Sequence, residues 1–510
     1  MPLDATATAP RPFTPSRQQA AFLDALKGTD NHLILEARAG SGKSTTCREG
    51  AWTLGRRPSL YCCFNKSIAE DFQRDLPRTC RAATLHSLGF RLLREHCRAK
   101  GLGEVRVDKS GSKVKDAAHE VFPGDDRESA AARAALARVV SNCKNRLAPT
   151  HVDDLDPAAD AWGIEIPANR REEVLEAVAP VMMALSNNPT VADFDDMIWL
   201  PVTLGATNAN PPAVLFVDEA QDLNLCQHAL LDQINPEGRI VAIGDRWQSI
   251  YGFRGADANS IPRLIQRLGW DNTGRGVTSH PLTITRRCPR SVVELARKIV
   301  PDLEAAPTAP DGMVETLEAD DWPLLATPGA MILCRTNAPL VSACYTLWRS
   351  GQAAQIQGRE IGADLSAFVL SRRASSVADL LAKVDAHEAR EIARMSKRPD
   401  PPADAIQALR DKCDCVRAIA AGLERVDQVM ARIGAMFTDL TDANSVTLSS
   451  IHRSKGLERD RVIIIRPDLI PGPWARSRED RRQELNLAYV AATRAKRHLV
   501  FCGDLPAVFT

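Results

Sequence analysis

Residues 33–45 read LILEARAGSGKST, an apolar run that leads into a glycine-rich turn and a lysine. Gly40 and Gly42 let backbone N–H groups curl around a phosphate, because glycine adopts conformations that other residues avoid. Lys43 can then reach the β- and γ-phosphates of a nucleotide, and Ser44 can bind Mg²⁺. A helix that starts here adds a favourable dipole for an anion. The segment therefore predicts a strand, a phosphate-binding loop (P-loop) and a helix, in that order.

Short apolar runs recur along the chain and alternate with stretches typical of helices. Continuous apolar strands separated by helices indicate parallel sheets that are covered on both faces. The strands fall into two groups, so we expect an α/β fold with two domains. The predicted strands are residues 32–37, 60–64, 213–218, 240–245, 282–285, 331–335, 446–450, 462–465 and 498–502.

Two long segments rich in alanine, arginine and glutamate interrupt this alternation. Their composition and periodicity predict helices. Each segment lies between strands of one α/β domain, so each is predicted to be a helical insertion. The expected organisation is a disordered tail at 1–12, a first α/β domain at 13–90 and 198–284 with an insertion at 91–197, and a second α/β domain at 285–365 and 438–510 with a small insertion at 366–437.

The composition is that of an ordinary soluble globular protein, with 44% hydrophobic and 25% charged residues and a net charge of +1. This balance argues against a protein that coats nucleic acid, but it permits a local basic channel. The thirteen cysteines form no CxxC pairs, so we expect reduced thiols, a cytosolic protein and no zinc site. No signal peptide is recognisable, and no apolar run approaches the ~20 residues of a membrane span, so no membrane association is expected.

A second element of a nucleotide site is predicted at residues 214–222, which read VLFVDEAQD. An apolar strand here delivers two adjacent carboxylates at its C-terminal end, where α/β sheets bind ligands. Asp218 can hold the Mg²⁺ shell. Glu219 can orient and polarise an attacking water, as phosphoryl transfer requires.

Six ordered segments carry a more specific signal. They are FNKSIA at 64–69, TLHSL at 84–88, DEAQD at 218–222, GDRWQSIYGFRGA at 244–256, IHRSKGLE at 451–458 and LAYVAATRA at 487–495. The last four resemble motifs II, III, V and VI of superfamily 1 helicases of the UvrD/Rep family. The first two are closest to the branch that contains F-box DNA helicases and phage-type relatives. The similarity runs from Gln18 to Arg494 and leaves only the two insertions unmatched.

The resemblance implies two RecA-like domains that bind ATP and Mg²⁺ in the cleft between them. It assigns adenine reading to Gln18, γ-phosphate sensing to Gln248 and a contact with the nucleotide sugar or a nearby phosphate to Glu458. Arg287 and Arg494 match two arginine fingers. The implied catalytic residues are Lys43, Asp218, Glu219, Gln248, Arg287 and Arg494. The implied ATP ligands are Gln18, Ala39, Gly40, Ser41, Gly42, Lys43, Ser44, Thr45, Arg286 and Glu458, with Ser44 and Asp218 holding Mg²⁺.

The chain departs from the family pattern in three places. Arg286 stands where the family often has a tyrosine; an arginine plane can still stack on adenine, but base selectivity is then in question. Arg38 stands at a variable P-loop position that is usually glycine, where we expect little effect. Phe253 replaces a tryptophan that many relatives have in motif III.

The resemblance also implies contacts with single-stranded DNA. Such binding combines backbone contacts with stacking of bases on aromatic rings, which contributes ~1–3 kcal/mol per base. Phe64 and Phe253 are expected to line base pockets. The full set of expected DNA contacts is Phe64, Asn65, His86, Trp199, Tyr251, Phe253 and Arg254.

The expected function is that of an ATP-dependent DNA helicase that moves 3′→5′ on single-stranded DNA. The expected substrates are single strands and DNA junctions, and the expected state is a monomer in the cytoplasm of a bacterial or phage-infected cell, associated with the nucleoid. Two alternatives stay open: a single-stranded DNA translocase that remodels proteins, and, from another class, an ATP-gated DNA-end sensor that works with a partner nuclease. A partner nuclease or a replication or repair protein is the expected protein partner. A small-molecule P-loop kinase is the remaining alternative, which the motif III, V and VI segments disfavour.

Overall fold

The computed structural model describes residues 13–250, 259–269, 274–398, 401–439 and 444–510. Two compact units divide the chain: the first has the described residues of Met1–Ala159 and Ile164–Thr283, and the second has those of Asp160–Gly163 and Ile284–Thr510. The tail at 1–12 and the predicted DNA contacts Tyr251, Phe253 and Arg254 lie outside the described residues.

The N-terminal part of the chain, up to Thr283, contains eight strands and twelve α-helices in the residues that the structure describes. The strands are β1 (His32–Ala37), β2 (Ser59–Cys63), β3 (Cys80–Thr84), β4 (Arg106–Val107), β5 (Val191–Ala192), β6 (Val214–Val217), β7 (Arg239–Gly244) and β8 (Val277–Leu282). The helices are α1 (Arg17–Gly28), α2 (Lys43–Thr53), α3 (Lys66–Asp75), α4 (Leu85–Ala99), α5 (Ser112–Val121), α6 (Arg127–Arg146), α7 (Val152–Ala161), α8 (Arg171–Glu176), α9 (Val178–Asn187), α10 (Asp196–Thr203), α11 (Leu225–Ile234) and α12 (Ser260–Gly269).

A six-stranded sheet with the order β3-β2-β6-β7-β1-β8 forms the centre of the first unit. Every adjacent pair of strands in it is parallel. The central strands β1, β6 and β7 are buried along their whole length, as their continuous apolar runs predict. Phe22 of α1 and Cys47 of α2 pack against Leu33 and Phe216 in one core. This packing fixes the carboxyl ends of β1 and β6, from which the P-loop and the two carboxylates emerge.

Helix α6 is the longest helix of the first insertion. Asp126 begins it by accepting bonds from the N–H groups of Glu128 and Ser129, both at 2.9 Å, which satisfies donors that a helix start leaves unpaired. Leu136, Val139 and Val140 are buried on one face, at the spacing that predicts an amphipathic helix. This buried face fixes the orientation of the polar residues at the C-terminal end of α6.

The C-terminal part of the chain, from Ile284, contains nine strands and seven α-helices in the residues that the structure describes. The strands are β9 (Ile284–Thr285), β10 (Glu304–Ala305), β11 (Met313–Leu317), β12 (Met331–Cys334), β13 (Ala354–Gln357), β14 (Phe437–Thr438), β15 (Val446–Ser450), β16 (Arg459–Ile465) and β17 (Ala495–Cys502). The helices are α13 (Arg290–Ala296), α14 (Ala338–Arg349), α15 (Arg359–Arg372), α16 (Val377–Met395), α17 (Ala403–Ala420), α18 (Val426–Met436) and α19 (Arg478–Ala492).

A seven-stranded parallel sheet with the order β11-β17-β16-β12-β15-β13-β14 forms the second unit. Strand residues such as Ile332 and Leu448 share one core with Val369, Val416 and Ile433 of helices α15, α17 and α18. The helices of the small insertion therefore pack on the sheet rather than forming a separate core. With parallel sheets in both units, the predicted α/β fold class is confirmed.

The prediction of a single strand at residues 282–285 is wrong. Strand β8 ends at Leu282, and β9 begins at Ile284 in the second unit. The backbone N–H and the hydroxyl of Thr283 bond to the side chain of Gln18, at 2.9 and 2.7 Å. Because that N–H donates to a side chain, it does not take part in a sheet ladder here.

All thirteen cysteines are buried and free. Burial, and secondarily the charge of Asp218, raise the pKa of Cys63 to about 12, so its reactive thiolate form is scarce at neutral pH. We expect a thiol reagent such as DTNB to label the native protein slowly and to label thirteen thiols after unfolding in guanidinium. Rapid labelling of the native protein at pH 8 contradicts this expectation.

In the part of the chain that the structure describes, no helix has the length and apolar character that crossing a membrane requires.

Candidate functional site

The P-loop connects the buried strand β1 to the start of helix α2 at Lys43. Gly40 and Gly42 have φ values of 71° and 86°, the left-handed region that favours glycine. Gly42 is the residue before the helix, and no described side chain caps the helix there. The first backbone N–H groups of α2 are therefore available to an anion, and the dipole of this 11-residue helix favours one.

Lys43 lies beside the two carboxylates that follow β6. Its ammonium is 3.2 Å from Asp218 Oδ1 and forms a second ion pair with Glu219. Burial lowers the pKa of Lys43, but the charges of Asp218 and Glu219 outweigh it and raise the pKa above its ordinary value. Lys43 therefore stays positively charged where the sequence predicts phosphate binding. The structure brings together these three predicted catalytic residues within the first unit.

Glu219 has a φ of 51°, a conformation that costs a non-glycine residue about 1–3 kcal/mol. Gln221 helps to fix the side chain of Glu219, because the amide N–H of Gln221 donates to Glu219 Oε2 at 2.5 Å. The amide oxygen of Gln221 accepts from the N–H of Asp245 at 3.1 Å. Gly244 leaves room for this link, since a Cβ there would lie 2.3 Å from the same oxygen. Sequence reasoning missed Gln221, whose position in the DEAQD segment was the available signal.

The described part of motif III is organised by Asp245. Its carboxylate accepts from the amide N–H of Gln248 at 2.8 Å and from Arg38 at 3.4 Å. Burial raises the pKa of Asp245, although the charge of Arg38 and the bond from Gln248 oppose the shift. Arg38, which stands in a usual glycine position, is itself buried. This departure from the family pattern therefore supplies positive charge beside a buried carboxylate of motif III.

The other predicted ATP ligands of the first unit lie near the P-loop. Gln18 has both polar groups of its amide bonded to Thr283. Its neighbour Gln19 is buried and donates to Thr46 Oγ1 of α2 at 2.8 Å. Within the loop Ala39 and Ser41 are buried, whereas Ser44 and Thr45 are exposed. Adenine reading by Gln18 stays a prediction.

In the second unit, Glu458 pairs with two cations. It forms an ion pair with Arg287, and its other oxygen is 2.9 Å from the ammonium of Lys496. Partial burial raises the pKa of Glu458, but Lys496 and Arg287 outweigh it, so the pKa lies below its ordinary value. Arg286, the neighbour of Arg287, is exposed. Lys496 is a member of this group that sequence reasoning missed.

Arg494 is fully buried at the end of α19. Its guanidinium donates to the carbonyl oxygens of Val490 at 3.0 Å and Leu457 at 3.3 Å, and to the hydroxyl of Thr493 at 3.3 Å. Burial first, and then the charge of Arg287, lower the pKa of Arg494 to about 10. The side chain therefore remains protonated at pH 7. The two predicted arginine fingers lie near each other within the second unit, and their contact with a nucleotide stays a prediction.

The predicted DNA contacts differ in exposure. Phe64, after β2, is 61% exposed, and Asn65 caps helix α3 by accepting from the N–H of Ile68 at 2.9 Å. Trp199 is 5% exposed, with the ammonium of Lys144 5.4 Å from its ring centre. In this structure the Trp199 ring is therefore not accessible for stacking on a base, and a DNA contact by it stays a prediction.

His86 lies at the start of α4, next to an aromatic residue that sequence reasoning missed. The ring of Phe194 meets the His86 ring edge-on at 6.4 Å and is 60% exposed. Burial lowers the pKa of His86, although the charge of Asp195 opposes the shift. His86 is therefore neutral at pH 7, and Phe194 offers an exposed aromatic face beside it.

These features define a class of protein. A left-handed glycine loop at a helix start, a charged lysine and two carboxylates at the end of a neighbouring parallel strand are the parts of a P-loop nucleoside-triphosphate site. The first unit therefore has the architecture of a P-loop NTPase domain, and the second unit is another parallel α/β domain.

Comparison with known proteins narrows the class. Residues 64–268 match the UvrD/REP helicase N-terminal domain, and residues 430–503 match the UvrD-like helicase C-terminal domain. The chain belongs to the UvrD/Rep family of superfamily 1 helicases. The first match begins after the P-loop and includes both carboxylates. The second match includes Glu458 and Arg494.

Individual relatives are similar over different lengths. The ATP-dependent DNA helicase PcrA of Leuconostoc citreum is 27% identical over 47% of this chain and 34% of its own length. The PcrA protein of Staphylococcus aureus (strain Mu50) is 25% identical over the same shares. The F-box DNA helicase protein 1 of Schizosaccharomyces pombe is 25% identical over 94% of this chain and 56% of its own length. The chain thus spans about a third to just over half of the length of these relatives.

Proposed function

We propose that this protein is an ATP-dependent DNA helicase that moves 3′→5′ on single-stranded DNA and unwinds duplex. The observation that carries the proposal is the meeting of Lys43 with Asp218 and Glu219 at the start of helix α2. Membership of the UvrD/Rep family supports DNA as the substrate. The polarity rests on the family resemblance alone.

The residues of the first unit are suited to triphosphate hydrolysis. Lys43 and the first N–H groups of α2 bind the β- and γ-phosphates. Glu219, held by Gln221, orients the attacking water. Ser44, at the exposed helix start, and Asp218 offer oxygen ligands of the kind that Mg²⁺ prefers. When bound, Mg²⁺ neutralises charge that develops on the phosphate oxygens.

The second unit contributes positive charge in this proposal. Arg287 and Arg494 stabilise the charge on the transferring phosphoryl group, as arginine fingers do in other nucleotide hydrolases. The Arg494 guanidinium already donates to two backbone carbonyl oxygens. Its side chain therefore loses little conformational entropy when a nucleotide binds. Glu458 interacts with Arg287 and is proposed to contact the nucleotide sugar or a nearby phosphate.

The proposed substrates are single-stranded DNA and DNA junctions, and the proposed state is a monomer in the cytoplasm, associated with the nucleoid. Three measurements test the function: the ATPase rate with and without single-stranded DNA, unwinding of duplexes with 3′ or 5′ tails, and displacement of a protein from DNA. Unwinding from 3′ tails supports the helicase proposal. Stimulated ATPase without unwinding favours a translocase that remodels proteins, and copurification with a nuclease favours a DNA-end sensor. ATPase without DNA stimulation contradicts the proposal and favours a small-molecule kinase.

Phe64 provides a direct test of the DNA track. We expect Phe64→Ala to weaken binding of a single strand about tenfold, because base stacking on an aromatic ring contributes ~1–3 kcal/mol. Fluorescence anisotropy with a labelled oligonucleotide measures the Kd. Ile68→Ala is the matched control, since Ile68 is also exposed, at 38%, but has no aromatic ring. Equal Kd values for the Phe64→Ala variant and the wild type would show that Phe64 does not contribute to binding of the single strand.

A further inference from the structure

The side chain of Asn145, at the end of helix α6, joins two distant segments of the first unit. Its amide N–H donates to Asp195 Oδ1 at 3.0 Å. Its amide oxygen accepts from Asn224 Nδ2, also at 3.0 Å. One side chain therefore bonds both to the segment that contains Phe194 and to the segment that follows the carboxylates Asp218 and Glu219.

Asn224 is the residue from which helix α11 starts. Its side-chain oxygen accepts from the N–H of Gln227 at 2.8 Å, and Gln227 bonds back to the N–H of Asn224 at 3.0 Å. This reciprocal cap fixes the start of the helix two residues after Asp222. Gln221, in the same short connection, holds Glu219. Asn224 is therefore joined by a short backbone segment to Glu219, the residue proposed to orient the attacking water.

Asp195 lies at the other end of the link, beside the exposed aromatic residue. Its second oxygen accepts from the hydroxyl of Ser141, one turn before Asn145 on α6, at 2.5 Å. The charge of Asp195 acts on His86, which contacts Phe194 edge-on. A nucleic-acid strand bound at Phe194 and His86 would therefore lie next to Asp195, the residue that holds Asn145.

Buried ion pairs fix the end of α6 to the 193–196 segment. The ammonium of Lys144 is 2.7 Å from Asp196 Oδ1 and 3.2 Å from Asp193 Oδ2, and that of Lys113 is 2.9 Å from Asp196 Oδ2. The side chains of Lys144 and Asp196 are 1% and 0% exposed. Separating such a pair leaves an uncompensated buried charge. The 193–196 segment and the end of α6 are thus expected to move as one body, so that motion reaches Asn145.

We propose that Asn145 is a positioning residue that couples DNA contact at Phe194 and His86 to the ATP site through Asn224. The inference rests on the proposed DNA-dependent ATPase function. Asn145 touches neither reactant; it transmits the position of one segment to the other. The test therefore measures whether Asn145 and Asn224 affect the DNA stimulation of the ATPase as one link.

The test uses the full chain in five forms: wild type, Asn145→Ala, Asn224→Asp, the double variant and the control Asn142→Ala. Aspartate is as good a helix cap as asparagine, so Asn224→Asp keeps the cap on Gln227 and replaces the donor to the Asn145 amide oxygen with a negatively charged acceptor. The ratio of the ATPase rate with saturating single-stranded DNA to the rate without DNA is measured for each. We expect this ratio to fall about three- to tenfold in both single variants, in the range of couplings between distant sites.

The double variant distinguishes coupling from independent damage. If Asn145 and Asn224 act as one link, the double variant loses no more stimulation than either single variant, whereas multiplied losses contradict the proposal. Asn142→Ala is the matched control: Asn142 is on the same helix and bonds to Arg138 and Arg146 of that helix, so its ratio stays at the wild-type value. An unchanged ratio in Asn224→Asp, with wild-type stimulation intact, overturns the inference. Absent stimulation in the wild type instead contradicts the proposed function itself.

Discussion

Replacing Lys43 with alanine is expected to lower the ATPase rate about 10²–10³-fold, the effect seen when one charge-stabilising donor is removed from an enzyme site. Lys43 carries the positive charge nearest to Asp218 and Glu219 in the described residues of the first unit. Without the Lys43 ammonium, its positive charge no longer offsets the repulsion between the two carboxylates and the bound phosphates. The proposed movement and unwinding should be lost with the ATPase, because in this proposal hydrolysis drives both.

A measurement of DNA binding distinguishes the expected loss of catalysis in the Lys43→Ala variant from a loss of folding. The proposed DNA contacts Phe64 and His86 lie on segments after β2 and β3, outside the P-loop. The Lys43→Ala variant should therefore retain single-strand binding in an anisotropy assay and melt cooperatively. Lys27→Ala is the control, since Lys27 is an exposed lysine in the last turn of α1. Wild-type turnover by the Lys43→Ala variant contradicts the assignment of the P-loop.

Most interior strands of the two sheets were predicted from sequence, whereas the interior strand β13 and the edge strands β3, β8, β11 and β14 were not. β1 and β15 are buried at every position, and apolar residues mark them in the sequence: residues 33–35 in β1, and Val446 and Leu448 in β15. At the sheet edges, β3 has one buried residue in five and β11 has none. A strand at an edge has one side covered less completely, so its sequence mixes polar and apolar residues. No local pattern distinguishes such a strand from a loop.

Only part of the candidate site could be predicted from the sequence, for a similar reason. The P-loop and the adjacent carboxylates are contiguous in sequence, so their chemistry can be recognised from local spacing. The contact of Gln18 with Thr283 joins residues 265 positions apart, and no spacing rule predicts it. Trp199 and Phe194 are five positions apart and are both aromatic, yet one is buried and the other exposed. The packing of α10 decides which ring is accessible, and packing depends on the whole unit.

Arg287→Ala is expected to reduce the DNA-stimulated ATPase rate about 10³-fold or more, since an arginine finger contributes ~10³–10⁵ in rate in GTPases. The fold should tolerate this change. Arg287 is partly exposed, and Glu458 keeps its second partner Lys496. Partly exposed pairs of this kind contribute about 0–1 kcal/mol to stability, so the Tm should change little.

Arg494→Ala should behave differently, and the contrast tests the assignment of both residues. Arg494 is buried and donates to two backbone carbonyls. Leaving buried acceptors without a donor costs about 1–3 kcal/mol, so this variant should lose stability as well as activity. Arg290→Ala is the control, because Arg290 is exposed and pairs with Asp311. A catalytic role for Arg287 requires an ATPase loss at an unchanged Tm; a parallel loss of both in Arg287→Ala would reduce it to a structural residue.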